Sequence, residues 1–398
     1  MRILVVAEEA LLPPATGFRI AVSSLVEHLR GSHEVRVLAL RVPGQTDPAP
    51  EGTRLVDWRP AGRITDVTML VRALARRRPL RVDAYADALR PALAEELASF
   101  KPDVAHVSSG RVAVLGSMLR EVPSVLGAFD AAHHNVEARA ERASGIKAML
   151  LRGEVRRWKR YERTDWHRFT RVTVSSEEDR ATLTAMDPRL RAVVMPLGID
   201  VGSFAGRPDA TRDDRRIIFH GVMDYAPNVT AVEFLVRSVL PRVQQVREDA
   251  RVAIVGRDPS SDVRALAGTS VEVTGSVPDI RPWLAGSRVF ACPMRSATGA
   301  KTKVLEAMAS GLPCVVTPLA ARGIGATPGE HLIEATTAEE FSEALIRILD
   351  DDDLAGRLGV AARAFVESEH DWSSVARMHE GLYREIAGEP ASVREEHA

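Results

Sequence analysis

The chain has 398 residues, more than a single hydrophobic core ordinarily organises, so two domains are expected. Its 53 lysines and arginines nearly balance 54 aspartates and glutamates, and the formal charge of -1 gives no global pull toward nucleic acid. With 5% aromatic residues and no reader motif, a nucleic-acid partner is not expected.

The opening MRILVVA is apolar and is followed at once by Glu8 and Glu9, so it reads as a first buried strand rather than a signal peptide. A helical pattern, FRIAVSSLVEHLR (18–30), leads to a second strand, HEVRVLAL (33–40). A turn-rich stretch over 42–53 and arginine-rich helical patterns through 63–100 come next. KPDVAHVSS (101–109) and VPSVLGAFD (122–130) read as strands, separated from RVTVSS (171–176) by a long helical region over about 136–168. RAVVMPLGID (191–200) closes this half.

The polar segment 201–216 breaks the pattern, and a second series begins: RIIFHG (216–221), ARVAIVG (250–256), SVEVTG (270–275), SRVFACP (287–293), LPCVVTP (312–318) and HLIEA (331–335). Strands alternating with helices imply two parallel sheets, each covered on both faces, and hence two doubly wound α/β domains. The boundaries read as 1–200, 201–372, and a closing helix over 373–398 that reaches back toward the first domain before a frayed tail. No run of about 18 apolar residues is present, so no membrane-spanning helix is expected. Cys292 and Cys314 lack a CxxC partner and sit in apolar runs, as buried thiols do in a reducing compartment, and the cytoplasm is the default location.

In such sheets, ligands bind beyond the carboxyl ends of the strands. The stretch SATGAKTKVLEAMASGLP (296–313) occupies such a place, after SRVFACP. KVLEAMAS reads as a short helix ended by Gly311 and Pro313. Lys301, Lys303 and Glu306 then stand at its N-terminus, where free N–H groups already favour anions. Two lysines suit a phosphate, and a carboxylate one turn in can accept two hydroxyl hydrogens from a ribose. The plainer reading, a solvated helix start, has comparable standing on composition alone. A P-loop does not fit, because Ala300 separates Gly299 from Lys301.

GAKTKVLEAMASGLPCVVT resembles the donor-site signature of the group 1, GT4-like retaining glycosyltransferases. PPATGFRIAVSSLVEHLRGSHEV resembles that family's opening Pro-Pro-x-x-Gly-x-x-Arg element, and FDAAHHNVEARA a His-Asn-x-Glu segment found in one branch of it. FHGVMDYAPNVTAVEFL, VEVTGSVPDIRPWLAGSRVFACPMR and HDWSSV continue the likeness in the right order. The resemblance implies the GT-B fold, two doubly wound Rossmann-like domains facing across a cleft. It also implies transfer of a sugar from a nucleoside-diphosphate-sugar to a hydroxyl of a small-molecule, glycan or lipid-linked acceptor, with no metal and no further cofactor.

On that resemblance, Glu306 binds the ribose and Lys303 faces the diphosphate, with Arg295 and Lys301 as helpers. Gly17 and Arg19 close on the diphosphate from the first domain, and Phe219, His220, Gly221 and Met223 form a second-domain loop. His134, favoured over His133, serves the donor sugar or the acceptor hydroxyl, with Asn135 and Glu137 on the acceptor side. His134, Lys303 and Arg295 are the expected catalytic residues. Two positions depart from the family pattern: Thr298 stands where a first glutamate is usual, and GVMDYAPN carries no basic residue. A solvent-facing histidine pair is the competing reading of His133 and His134, and a zinc site lacks the usual ligand spacing.

Weaker signals remain. LRGEVRRWKRYERTDWHRF (151–169) reads as a solvated helix ahead of a membrane-surface helix, because Glu154, Glu162 and Asp165 dilute its cations. Peripheral contact with the inner membrane face therefore stays open, as does the oligomeric state. The aspartate run 350–353 reads as a solvated helix start. Alternatives on the same fold are a sugar-nucleotide epimerase, a phosphorylase, for which no cofactor lysine is identifiable, and a non-catalytic nucleotide-sugar-binding protein.

Overall fold

A computed structural model describes residues 1–12, 16–41, 49–58, 71–73, 75–141, 143–204, 212–296 and 302–388. The chain divides into two compact units, Met1–Met195 with Val375–Ala398, and Pro196–Ser374.

Unit 1 is built on seven parallel strands: β1 (Arg2–Ala7), β2 (Glu34–Arg41), β3 (Thr53–Asp57), β4 (Val104–Ser108), β5 (Ser124–Phe129), β6 (Arg171–Val174) and β7 (Ala192–Val194). Their order is β3-β2-β1-β4-β5-β6-β7. Unit 2 holds six: β8 (Asp213–His220), β9 (Arg251–Val255), β10 (Val271–Gly275), β11 (Ser287–Cys292), β12 (Cys314–Val316) and β13 (Ile333–Glu334), ordered β10-β9-β8-β11-β12-β13. These are also parallel throughout. Strands such as RILVVA and SRVFAC are apolar runs rather than alternating ones because helices cover both faces of each sheet. Each unit buries its own core, with Phe219 stacked on Phe290 at 6.3 Å in unit 2 and Tyr161 and Trp166 fully buried in unit 1.

Strand order reverses direction twice, between β1 and β4 in unit 1 and between β8 and β11 in unit 2. Such a reversal splays the following loops apart and opens a crevice at the strands' carboxyl ends. The residues after β8 and β11 are therefore the ones placed to meet a ligand in unit 2.

Several elements differ from the sequence reading. The helical region over 136–168 is two helices, Ala132–Glu141 and Gly145–Asp165, the second opening at Gly145 with φ +59. The expected strand over 191–200 is only three residues long, and beyond it Ile199 exchanges backbone hydrogen bonds with His370 and Trp372. Gly198 is obligatory there, since a Cβ would lie 2.3 Å from the Trp372 ring. The HDW stretch thus ties the two ends of unit 2 together. Thr53–Asp57 is a strand that the turn-rich composition concealed. The aspartate run does open a helix: Asp351 caps Asp352–Glu369 by accepting from the Leu354 N–H. The closing helix, Trp372–Gly388, belongs to unit 1 from Val375 onward.

Candidate nucleotide site

The Thr302–Ala309 helix follows β11 and turns an apolar face, Val304, Leu305, Ala307 and Met308, into the core. Gly311 ends it at φ +70, a left-handed position that glycine takes without strain. With the apolar face fixed inward, Lys303 and Glu306 share the remaining side of the first turn.

The Lys303 Nζ donates to Asn228 Oδ1 at 2.6 Å and lies 4.6 Å from the centre of the Phe219 ring. Among the described residues no carboxylate forms a salt bridge with it. Desolvation holds this ammonium below the usual lysine range, with Cys292 and Glu306 acting in the opposite sense. Asn228 is itself buried, and its amide N–H donates to Val222 O at 2.8 Å. A partly desolvated cation held by a neutral amide gains when an anion completes its surroundings.

Glu306 stands beside it. Burial pushes its carboxyl above the usual range, while Lys303 lowers it. The His220 Nε2 lies 3.4 Å from Glu306 Oε2 and 3.3 Å from Lys303 O. Burial, and then the Lys303 charge, push His220 down to about 3, so the ring is neutral near pH 7 and the contact with Glu306 is no ion pair. His220 supports the helix start as a neutral spacer.

Gly221 joins these groups. Its φ is +156, and a Cβ would fall 2.7 Å from Asn228 Nδ2 and 2.9 Å from Lys303 Nζ. Any other residue displaces the lysine. Met223 needs a different account from the one the sequence implied. Its side chain is fully buried in the unit 2 core, and its backbone N–H donates to Arg257 O, so it anchors the loop and presents no surface to a ligand. Arg295 is exposed, with its guanidinium 4.0 Å over the Phe234 ring and one N–H donating to Thr336 O. None of these contacts links it to Lys303 or Glu306. Lys301 and Thr298 lie outside the described residues.

In unit 1, Thr16 caps the Gly17–Arg30 helix by accepting from the Arg19 N–H. Among the described residues, no atom outside Gly17's chain neighbours and its own helix backbone lies within 4 Å of where a Cβ would stand, so no described packing demands glycine there. The Arg19 guanidinium pairs with Glu9 at 2.8 Å.

The His-His segment sits after β5. Phe129 takes φ +66, a left-handed turn rare for an aromatic residue, and the helix Ala132–Glu141 follows directly. His133 is buried: its Nδ1 lies 2.6 Å from Glu162 Oε2, and its backbone N–H donates to the other oxygen of the same carboxylate. His134 is half-exposed, with Nδ1 3.3 Å from Asp179, and the hydrogen bond to Asp179 raises its pKa against desolvation. The Asn135 amide donates to Asp130 at 2.6 Å, and Glu137 pairs with Lys159 at 3.1 Å. Ligating atoms of His133, His134 and Glu137 lie within 4.8 Å of one another, so these are the described residues that could hold a metal ion.

Asn228, Asp179 and Glu162 are functional neighbours that sequence reasoning passed over. Asn228 carried a usable signal, a polar amide following Pro227 at the start of an otherwise apolar helix. Asp179 and Glu162 lie 45 and 29 positions from their histidines and left no local trace.

Residues 16–203 match the model of the Glycosyltransferase Family 4, and residues 214–351 that of the Glycosyl transferases group 1. A phosphatidyl-myo-inositol mannosyltransferase of Mycobacterium leprae is 29% identical over 241 residues, 58% of this chain and 63% of that protein. A GDP-mannose-dependent monoacylated alpha-(1-6)-phosphatidylinositol monomannoside mannosyltransferase of Corynebacterium glutamicum is 29% identical over 218 residues, 49% of this chain and 56% of that protein. The matched stretch thus spans about three-fifths of each relative's length. Among solved structures, the sucrose-phosphate synthase of Thermosynechococcus elongatus superposes with a TM-score of 0.70 at 18% identity, covering 97% of this chain and 99% of the other. That likeness is one of fold: two Rossmann-like α/β domains of the GT-B type.

Proposed function

The chain belongs to the group 1, GT4-like glycosyltransferases, and from that premise we propose that it moves a sugar from a nucleoside-diphosphate-sugar to an acceptor hydroxyl with retention of anomeric configuration. The observation that carries this reading is the Lys303–Glu306 pair at one helix mouth. An ammonium without a carboxylate partner among the described residues, at the positive end of a helix and at a reversal of strand order, suits a diphosphate. The acid beside it suits the two ribose hydroxyls.

In the reaction, the bond between the anomeric carbon and the phosphate oxygen breaks, and its electron pair stays on that oxygen. The acceptor oxygen bonds to the anomeric carbon from the same face, and its proton passes to the leaving phosphate. The growing negative charge is what the protein must stabilise, and Lys303 with the helix N–H groups supplies positive charge fixed in advance. Gly221 keeps the space around Lys303 open. In unit 1, His134 serves the sugar or the acceptor, and Gly17, Arg19, Asn135 and Glu137 keep the roles that the family likeness gives them. Arg295 keeps a helper's role only if it leaves Phe234.

The donor to test first is GDP-mannose and the acceptor a phosphatidylinositol lipid, since the curated relatives carry those names. Purified chain is mixed with GDP-, UDP- and dTDP-sugars, and thermal protection and then transfer are followed, with the product's anomeric configuration read by NMR. Glu306→Ala is expected to weaken nucleotide binding about 30- to 100-fold, the loss of hydrogen bonds to a charged group. His134→Ala is expected to keep nucleotide affinity and lose transfer. A chelator is expected to leave the rate unchanged; a rate that collapses would assign the diphosphate's charge to an ion. Donor binding without turnover on any hydroxyl acceptor would leave a binding protein in place of a transferase.

A further inference from the structure

The Gly145–Asp165 helix has an unusual solvent face. Ile146, Met149 and Leu150, at its first two turns, are 75%, 64% and 64% exposed. Arg152, Arg156, Arg160 and Arg163 are exposed farther along. At about 3.6 residues per turn, these four arginines form one stripe, and the apolar trio adjoins it at the helix start.

The helix also carries three acids, Glu154, Glu162 and Asp165, which by sequence alone dilute this charge. The structure turns all three inward. Glu154 pairs with Arg157 and accepts from the Leu80 N–H, Glu162 is fully buried against His133, and Asp165 is buried against Arg78. Among the described residues none of the four stripe arginines forms a salt bridge. The nearest exposed carboxylate in sequence, Glu141, stands in the company of exposed Arg139 and Lys147. The outward face is therefore cationic and apolar, although the helix as a whole has mixed charge.

We propose that this face docks the protein on an anionic lipid bilayer. The arginines lie against headgroup phosphates and Ile146, Met149 and Leu150 enter the boundary with the acyl chains. Charge complementarity selects this occupant, because an apolar protein partner leaves four arginines unanswered. No helix of the described residues is long and apolar enough to cross a membrane, so the contact is peripheral. The inference stands apart from the nucleotide site and needs no donor.

The test is sedimentation of the full chain with phosphatidylcholine vesicles, with and without phosphatidylglycerol. The protein is expected to pellet with the anionic vesicles only, and to be released as salt screens the charges. A basic residue near such a surface contributes about fivefold in partition, so Arg152→Gln/Arg156→Gln lowers it about 30-fold. Ile146→Ser/Met149→Ser/Leu150→Ser removes the salt-resistant part. Val360→Ser, exposed on unit 2, leaves binding unchanged. All these side chains face solvent, and near-ultraviolet circular dichroism checks that each variant keeps its fold. Equal pelleting with both vesicle types overturns the inference, and so does undiminished binding by the arginine variant. A soluble dimer that the triple serine variant dissolves, without vesicle binding, replaces it with self-association.

Discussion

Two side chains decide what the Thr302–Ala309 helix can hold, and both are tuned first by burial, which the local sequence does not show. Lys303 loses hydration and is held by the carbonyl of Asn228, which favours the ammonium over the free amine. Its pKa in the folded chain lies below 10.5, so the charge proposed to bind a diphosphate is lost earlier than usual as pH rises. kcat/KM is therefore expected to fall on an alkaline limb set by the free enzyme. Asn228→Ala removes the acceptor and moves that limb lower, with affinity for the nucleoside diphosphate down about tenfold. Asn228→Asp moves the limb higher. A limb that ignores both substitutions shows that Asn228 does not position Lys303. His134 shifts the other way, because its bond to Asp179 stabilises the imidazolium. The stability this pair gives is fully present below about 6.5, the ordinary histidine value, and is lost as pH rises through the raised one. Asp179→Asn is expected to bring the His134 titration, followed by NMR of the ring protons, back down. The residue types Lys303, Glu306 and His134 stand out by motif and position. Their pKa directions do not, because those of Lys303 and Glu306 come from burial and that of His134 from Asp179, distant in sequence.

At the scale of elements, the parallel strands were legible because burial on both faces writes them as apolar runs, and the motif helix because Gly311 and Pro313 close it. Breaks in pattern were less legible. Gly145 splits what periodicity joined, and β3 hides behind turn residues because an edge strand needs little apolar content. The end of the last helix shows how an element is fixed by groups invisible to periodicity. His106 on β4 is buried, with its Nδ1 2.5 Å from Tyr383 Oη, and the His379 ring lies 5.5 Å from it. Burial, together with the His379 charge, pushes His106 down to about 3, and burial pushes His379 down to about 4. Both rings are neutral in the fold, so the unfolded chain binds more protons wherever the pH lies below about 6.5 and above those values. Unit 1 is thus expected to lose stability as pH falls through that window, at up to about 1.4 kcal/mol per pH unit for each ring. Thermal melts of His379→Phe against the parent should show a shallower acid limb; identical limbs would mean that the ring is not buried neutral. Gly127 guards the same place, since a Cβ there would lie 2.6 Å from His106 Nε2. Gly127→Ala is expected to destabilise by about 1–3 kcal/mol in urea titrations.

For the whole molecule, a net charge near zero forbids strong long-range attraction, so recognition of anions has to rest on local charge. Lys303 of the candidate nucleotide site belongs to unit 2, and the arginine face to unit 1. Each unit also has its own core, which makes separate unfolding transitions the natural expectation in calorimetry. A ligand that binds only the folded form adds stability in the unit that contacts it. Free nucleoside diphosphate at about 100 times its Kd contributes about 2.7 kcal/mol, and for a unit of this size that corresponds to a rise of roughly 5–10 °C. The transition of unit 2 is expected to carry most of it, since Lys303, Glu306, Asn228 and Gly221 all lie there. Glu306→Ala should remove the larger part of the rise while leaving the unit 1 transition where it was. If the nucleotide instead raises the unit 1 transition alone, the pentose and the diphosphate are held elsewhere, and the helix mouth at 302–309 is a solvated surface with a partly buried lysine.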